Sequence, residues 1–265
     1  MDRKTLAREL SLIGVQKNSV IIVHSSLKSF GFMEGGAEAV VDALMDVVTE
    51  GTLIFPSFNH GAPYEKGEVF DIRSTPTING AIPEAFRKRK GVKRSMNPTH
   101  AFAIYGKDAE EIAAAHEKSP AVGEGSPLDY LYKHDGCVLL LGVGYNRNTF
   151  HHYVETVTNA PCLYPRGEEY DVIDEDGAKK RARTWSWREK SCPINDPAKY
   201  APMMAEFEKT AMLGSCKITF FRVRDCFEVV KKCLLEGISD HPGCLECPIR
   251  PRVCEYSVFD SEEEA

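Results

Sequence analysis

The sequence contains no apolar run that approaches the roughly 20 residues needed to cross a bilayer. Its first residues, MDRKTLAREL, also lack the apolar segment of a signal peptide. An excess of positive charge is missing as well, since 33 Lys and Arg face 39 Asp and Glu. The chain is therefore expected to be cytoplasmic, without a membrane or nucleic-acid partner, and its net charge of −6 is compatible with a cationic small-molecule substrate.

Two common phosphate-binding signatures are absent. There is no GxxxxGK[ST], which argues against a P-loop nucleotide triphosphatase, and no GxGxxG, which argues against a dinucleotide-binding fold. No internal repeat and no long Gly/Ser or Pro-rich linker divides the chain. With 265 residues, of which 43% are hydrophobic, the sequence predicts one domain over 1–238, followed by a cysteine-containing tail over 239–265 whose acidic end is disordered.

The nine cysteines are an odd number, and several lie in apolar segments, so most are expected to be reduced. The tail has a different pattern, HxxCxxC followed by a further cysteine seven residues later. Its four potential zinc ligands are His241, Cys244, Cys247 and Cys254. A second CxxC pair is missing, so a structural metal and free thiols or a disulfide all remain open.

Strands and helices alternate along most of the chain, which indicates an α/β fold, a three-layer sandwich with a mainly parallel central sheet. The pattern predicts strands at 19–23, 51–55, 101–105, 138–143 and 217–222, and helices at 5–13, 37–48, 80–89, 108–116, 126–134, 200–212 and 224–235. An added β-hairpin, about 168–187 with its turn at 174–177, is expected to pack against the edge of the sheet or to extend it.

The stretch 138–157 carries the strongest candidate for chemistry. An apolar strand ends at Gly142 and Gly144 and leads into a helix, capped by Asn148 or Thr149, on which helical spacing brings His151 and His152 close to Glu155. A carboxylate beside an imidazole fixes its tautomer and raises its basicity, as a general base requires. A surface ion pair fits the same spacing.

A second candidate is the loop after the first strand. Small residues and hydroxyls between His24 and Gly36 precede a helix N-terminus, where backbone amides favour an anion such as the phosphate of a cofactor; an ordinary loop-helix junction is the alternative. The segment 57–70 has no clear periodicity and carries Asn59, His60, Glu65 and Glu68, which makes it a plausible substrate-facing loop. His100 precedes the third predicted strand and is either structural or catalytic.

Five separated blocks of the sequence together resemble the aminoglycoside N3-acetyltransferase family, also called the antibiotic N-acetyltransferase family. They are VIIVHSSLKSFGFMEGGAEAVVDAL (20–44), GTLIFPSF (51–58), FDIRSTPTINGAIPEAFRKRKGVKRSMNPTHAFAIYG (70–106), GSPLDYLY (125–132) and VLLLGVGYNRNTFHHYVE (138–155). The resemblance spans residues 6–233 approximately. It implies an acetyl-CoA-dependent acyltransferase that transfers the acetyl group directly to the 3-amino group of a 2-deoxystreptamine aminoglycoside, which causes antibiotic resistance.

The resemblance also assigns roles to residues. It implies His152 as general base with Glu155 holding it, and His100 nearby. The implied coenzyme A site comprises Ser25, Ser26, Leu27, Phe30, Gly31, Gly35, Arg94, Ser95 and Thr99. The residues expected at the substrate are Asn59, Glu65, Asp71 and His151, with the carboxylates facing ammonium groups. At Asn97 and Ala101 the chain departs from the family pattern, which often has histidine and serine at these positions.

Several alternatives stay open. The acceptor could be another metabolite amine, and a non-catalytic binding protein is conceivable. A metal-dependent hydrolase could use His151, His152, Glu155 and His100 as ligands, although the resemblance implies that catalysis needs no metal. A covalent acyl-cysteine intermediate is disfavoured because no cysteine lies in a matched block with a base beside it. The chain is expected to be a monomer or a homodimer.

Overall fold

A computed structural model describes residues 1–59, 69–158, 160, 163–164, 169–183, 187–188, 197–239, 241–244 and 246. Its helices are α1 (Arg3–Ile13), α2 (Gly36–Val47), α3 (Ala81–Arg87), α4 (Ala109–Ala115), α5 (Pro127–Lys133), α6 (Phe150–Val157) and α7 (Val223–Glu236). The longer strands are β1 (Val20–Ser25), β2 (Thr52–Pro56), β5 (Phe102–Gly106), β6 (Cys137–Leu141), β8 (Glu169–Ile173), β9 (Lys179–Arg183), β11 (Lys209–Leu213) and β12 (Cys216–Arg222). Two-residue strands are β3 (Phe70–Asp71), β4 (Lys93–Arg94), β7 (Leu163–Tyr164), β10 (Trp187–Arg188), β13 (Gly237–Ile238) and β14 (His241–Pro242).

Seven strands form the central sheet in the order β11-β12-β6-β1-β2-β5-β4. Only β1 with β2 and β1 with β6 are parallel, whereas the other four neighbouring pairs are antiparallel. The prediction of a mainly parallel sheet is therefore wrong, and the sheet is mixed. The parallel centre follows from the helical crossover α2, while a two-residue turn at 214–215 can only join antiparallel strands.

Helices cover both faces of the sheet and give the three expected layers. Because side chains alternate along a strand, Ile22 of β1 packs on one face, against α4 to α7, while Ile21 and Val23 pack on the other, against α1, α2 and α3. Both faces of β1, β2 and β6 are thus apolar, as in strands buried between two helical layers.

The predicted hairpin is present as β8 and β9, with five residue pairs in antiparallel register. It does not extend the central sheet. Instead, β8 pairs with β3 in parallel and forms a separate three-stranded sheet. A small apolar cluster joins this sheet to the segment before β5, and its members are Phe70, Ile72, Met96, Ala101, Val172 and Ala182.

The predicted helix over 200–212 is wrong. A 3-10 turn at Ala201–Met204 is followed by β11, which pairs along its length with β12. The Ala- and Met-rich composition favours a helix locally, but strand pairing outweighs a propensity that amounts to a few tenths of a kcal/mol per residue. None of the helices in the described ranges combines the length and the apolar character that crossing a bilayer demands.

Part of the cysteine prediction can be compared with the structure. The five described cysteines, Cys137, Cys216, Cys226, Cys233 and Cys244, are free thiols. Cys247 and Cys254 of the proposed zinc ligands lie outside the described residues.

Candidate active site

Four chain segments meet at one edge of the central sheet. The parallel strands β1, β2 and β6 end there, and ligands favour the carboxyl ends of parallel strands. β5 is antiparallel to β2, with Phe102 opposite Pro56, so β5 begins at this same edge. The edge therefore gathers the residues after Ser25, Pro56 and Leu141 and those before Phe102.

The turn after β6 requires glycine. Gly142 has φ +67°, and a Cβ atom there would lie 1.6 Å from Oγ of Ser29 on the loop after β1. A 3-10 turn at Tyr145–Arg147 follows, and the buried Asn148 side chain accepts a hydrogen bond of 3.2 Å from the Phe150 amide at the start of α6. The glycine turn thus brings α6 directly beside the loop that follows β1.

On α6, one carboxylate holds two imidazoles. Oε1 of Glu155 lies 2.9 Å from Nε2 of His151, and Oε2 lies 3.0 Å from Nδ1 of His152. Glu155 is 1% exposed and the His151 side chain is completely buried, whereas the His152 side chain is 35% exposed. The expectation that His151 contacts substrate is therefore not supported by its position, because α6 packs that imidazole inward and presents His152 to solvent.

His24 lies beside the candidate site, at the end of β1, and the sequence did not single it out. Its buried Nε2 accepts a hydrogen bond of 3.4 Å from the Thr149 amide, which ties the end of β1 to the start of α6. Burial lowers the pKa of His24 to about 3, with further contributions from His152 and Arg147. His24 is consequently neutral, and its position near the end of a buried strand was the available signal.

The loop after β1 has the features expected for an anionic cofactor. Oγ of Ser25 is buried and has no hydrogen-bond partner among the described residues, so the loop holds one unused polar group. Gly31 and Gly35 adopt positive φ angles of 65° and 76°. α2 then starts without a side-chain cap, which leaves first-turn amides available. Ser26, Leu27 and Phe30 lie between these features in the loop and its 3-10 turn. These residues fit a phosphate-bearing group such as coenzyme A.

The segment before β5 forms a compact polar turn. Oδ1 of Asn97 accepts hydrogen bonds from the amides of Thr99 and His100, at 3.1 and 2.8 Å. The Asn59 amide donates to Thr99 O at 3.2 Å, and its side chain donates to Pro98 O. Nδ1 of His100 lies 2.9 Å from Oγ1 of Thr99. Asn97, one of the departures from the family pattern, thus stabilises the turn that places Thr99, His100 and Asn59 together.

Arg94 is buried and holds three backbone carbonyls beside the candidate site. Its buried guanidinium donates to the carbonyls of Thr75 at 2.5 Å, Ser57 at 2.9 Å and Ile72 at 3.3 Å, and it lies over the ring of Phe70. Burial lowers its pKa to about 9. These interactions join the ends of β2 and β3, and the contact of Arg94 with coenzyme A stays a prediction.

The Ser95 hydroxyl is also hydrogen-bonded to other residues of the protein. Its Oγ accepts a hydrogen bond from the Phe102 amide at 2.8 Å and lies 2.8 Å from Nδ1 of His116. Nε2 of His116 lies 3.0 Å from Ala121 O, so Nε2 donates a hydrogen bond to that carbonyl and Nδ1 accepts one from the Ser95 hydroxyl. Burial lowers the pKa of His116 to about 4, which favours this neutral form. The Ser95 hydroxyl therefore positions β5 rather than facing a cofactor.

Of the acidic residues expected at the substrate, the structure describes Asp71. Asp71 makes a two-point ion pair with Arg73, at 2.8 and 3.0 Å, and this partner holds the pKa of the Asp71 carboxyl below its usual range. A substrate ammonium would have to compete with Arg73. Glu65 and Glu68, together with His60, lie outside the described residues.

The same three α6 residues are also close enough to hold a metal ion. The ligand atoms of His151, His152 and Glu155 all lie within 4.8 Å of one another. However, each carboxylate oxygen already pairs with one imidazole nitrogen, so a metal ion would have to displace both hydrogen bonds. The arrangement suits proton transfer through His152 better than metal ligation.

Comparison with known proteins gives a consistent result. The family model described as aminoglycoside 3-N-acetyltransferase matches residues 22–235. The SPbeta prophage-derived aminoglycoside N(3')-acetyltransferase-like protein YokD of Bacillus subtilis (strain 168) is 37% identical over 174 residues, which cover 58% of this chain and 64% of that protein. Aminoglycoside N(3)-acetyltransferase VII of Streptomyces paromomycinus is 33% identical over 208 residues, 66% of this chain and 72% of that enzyme. The chain thus spans about two thirds of the length of these relatives.

The fold has solved counterparts as well. A variant of aminoglycoside acetyltransferase AAC(3)-IVa, in complex with a gentamicin, superposes with a TM-score of 0.77 at 27% identity, covering 96% of this chain and 97% of that one. The mixed sheet and its two helical layers are therefore those of a fold already observed in an aminoglycoside complex.

Proposed function

The chain belongs to the aminoglycoside 3-N-acetyltransferase family, and from this we propose that it transfers the acetyl group of acetyl-CoA directly to the 3-amino group of a 2-deoxystreptamine aminoglycoside, causing resistance. The similarity to enzymes named for this reaction, and to a structure containing a gentamicin, supports the substrate class. The observation that carries the proposal is the partly exposed imidazole of His152, paired with a buried carboxylate at the ligand-binding edge of the sheet.

His152 acts as the general base. An amine is protonated in water, so it must lose a proton before its lone pair can attack a thioester carbonyl. Because Nδ1 of His152 donates to Glu155, the neutral ring carries its lone pair on Nε2, which accepts the proton of the amine. The imidazolium that forms is then stabilised by the Glu155 carboxylate.

The loop after β1 binds the cosubstrate, which supplies an activated acyl group when bound. Ser25, Ser26, Leu27, Phe30 and the glycines Gly31 and Gly35 line this loop, and the amides at the start of α2 attract phosphate oxygens. The hydroxyl of Ser25, unpartnered among the described residues, is the donor best placed to take a ligand atom. Thr99 and His100 close the site from the β5 side, while Arg94 and Ser95 act as supports.

Purified protein should release CoA thiol from acetyl-CoA in the presence of kanamycin-, gentamicin- or neomycin-type compounds, with the product acetylated at the 3-amino group by NMR. His152→Ala should abolish transfer and leave acetyl-CoA binding nearly intact, because the side chain removes a proton and does not hold the cofactor. Turnover by this variant within a few-fold of the wild type would show that His152 is not the base. Thiol release with other amines but no aminoglycoside would point to a different metabolite acceptor.

A metal-dependent hydrolase is the second candidate, since His151, His152 and Glu155 lie at ligand spacing. We propose that catalysis needs no metal, because the hydrogen bonds within the cluster already use both carboxylate oxygens. Protein stripped with a chelator and checked by metal analysis should keep its acetyltransferase rate. Loss of the rate, with recovery on adding zinc, would favour the hydrolase-like site.

A further inference from the structure

The buried imidazole beside the proposed base has a role that the family resemblance does not give it. Nε2 of His151 lies 2.9 Å from Oε1 of Glu155, while Oε2 contacts Nδ1 of His152. We infer that His151 is a positioning residue, which holds the Glu155 carboxylate ionised and directed at Nδ1 of His152. This inference rests on the proposed function, in which His152 is the base.

The charge of the buried Glu155 depends on its hydrogen-bond donors. Glu155 is only 1% exposed, and an isolated buried carboxyl group would take up a proton rather than stay charged. Donors that bond to the ionised form oppose this, and His151 provides one on the oxygen that His152 does not use. Without the His151 donor, Oε1 of Glu155 would lose the 2.9 Å hydrogen bond that stabilises its charge.

The tautomer of His152 depends on the charge of Glu155. An ionised Glu155 can only accept, so Nδ1 of His152 must carry the hydrogen and Nε2 the lone pair. A protonated Glu155 would instead donate to Nδ1, which places the ring hydrogen on Nε2 and removes the lone pair from the side that has to accept a proton. By keeping Glu155 an acceptor, His151 selects the reactive tautomer of a ring that it touches only edge to face.

His151 is fixed in orientation by its neighbour. Its ring lies nearly parallel to that of the buried Tyr200, with a 9° interplanar angle and 5.2 Å between centroids. Among the described residues, the other titratable or charged groups around this region are His24 of β1, Tyr145 and Arg147 of the 3-10 turn, and Cys226 of α7. A substitution at His151 leaves all of them in place, so their effects cancel between variants.

Two substitutions separate the hydrogen bond from packing. His151→Phe keeps a flat ring against Tyr200 but has no N–H, whereas His151→Gln places an amide N–H near the position of Nε2. We expect kcat to fall about tenfold in H151F with KM changed less than twofold, and the acidic limb of the kcat/KM profile to move to higher pH. The direction follows because removing a donor destabilises the ionised Glu155 with neutral His152, so the pair binds its proton more tightly. H151Q should recover most of the lost rate and the wild-type limb.

An NMR measurement gives a readout without turnover. Long-range 1H–15N spectra of the imidazoles report the tautomer and the titration midpoint of His152 directly. Wild type and H151Q should show the Nδ1–H tautomer and similar midpoints, and H151F a higher midpoint. If H151F does not fold, His151→Leu supplies a second variant without the donor. Unchanged midpoints in a folded donor-free variant, or failure of H151Q to restore them, would overturn the inference. Absence of acetyl transfer in the wild type would instead contradict the proposed function alone.

Discussion

The replacement of Glu155 by glutamine tests the proposed site most directly, because the shape is kept and only the charge is removed. The carboxylate accepts one hydrogen bond from each of two imidazoles, at 2.9 and 3.0 Å. A glutamine side chain has one oxygen and one NH2 group, so it can accept from only one of the two rings. The ring that faces the NH2 group must present a lone pair, which for His152 would be the wrong tautomer.

The size of the effect follows from the interactions that are lost. A hydrogen bond between a carboxylate and an imidazolium contributes roughly 1.5–3 kcal/mol, and this contribution is largest after His152 has taken up the proton. Since each 1.36 kcal/mol is a tenfold change in rate, the bond alone accounts for about 10- to 150-fold. Where the NH2 group faces His152, the unfavourable tautomer adds to this, so kcat of E155Q should fall at least about tenfold and up to roughly a thousandfold.

The assay compares kcat from thiol release with acetyl-CoA affinity from calorimetry. Affinity should change little, since the loop after β1 binds the cofactor. Asp129→Asn is a matched control, because Asp129 is a buried carboxylate that accepts a 2.8 Å hydrogen bond from Tyr153 of the same helix, outside the site. D129N should lower the free energy of unfolding but leave kcat within about twofold. A kcat of E155Q within a few-fold of the wild type would show that the Glu155 carboxylate does not assist a base at His152.

Two further predictions concern stability. Gly142→Ala should lower the free energy of unfolding by about 2 kcal/mol or more in urea titrations, because its Cβ would overlap the Ser29 side chain at a positive φ, whereas Gly144→Ala, with φ −93°, should change it little. The protein should also become less stable on acidification, because the pKa values of the buried His24 and His116 are lowered to about 3 and about 4. Between pH 6.5 and those values the unfolded chain binds protons that the folded protein does not, so the free energy of unfolding is highest above pH 6.5 and falls as the pH falls. At pH 4.5 each histidine should lower the free energy of unfolding by about 2–3 kcal/mol relative to pH 7, at 1.36 kcal/mol per pKa unit. Denaturation of the wild type and of His116→Gln at pH 7 and 4.5 checks this. An H116Q variant as acid-sensitive as the wild type would contradict it.

The strands could be predicted from the sequence more reliably than their directions. The apolar run predicted at 138–143 corresponds to β6 at Cys137–Leu141, and 51–55 corresponds to β2 at Thr52–Pro56. Burial on both faces leaves a local signature, because such a run is almost entirely apolar. The direction of a neighbouring strand leaves none, since it depends on how the chain returns to the sheet. This is why the antiparallel pairing of β2 with β5 was not foreseen.

The same distinction separates the site residues. Glu155 lies near both imidazoles because helical spacing is a local property, and the sequence predicted both contacts. Which imidazole faces inward depends on Tyr200, which is distant in sequence and stacks on His151. Likewise, Arg94 carries charge that suits a phosphate, but its partners are the carbonyls of residues 19 to 37 positions away. Residue type alone cannot reveal that a donor is already used.

His24 combines a local property, its place at the end of a buried strand, with a contact to a residue distant in sequence. A histidine in a buried strand is ordinarily structural, and its lowered pKa makes it a poor proton carrier. Its value to the site is geometric, since Nε2 accepts from the Thr149 amide one residue before α6 begins. The cofactor loop starts at the next residue, Ser25, whose hydroxyl has no partner among the described residues. The hydrogen bond of one neutral side chain therefore links the proposed cofactor loop to the helix that carries the proposed base. Its two residues are 125 positions apart, so neither segment predicts the link alone.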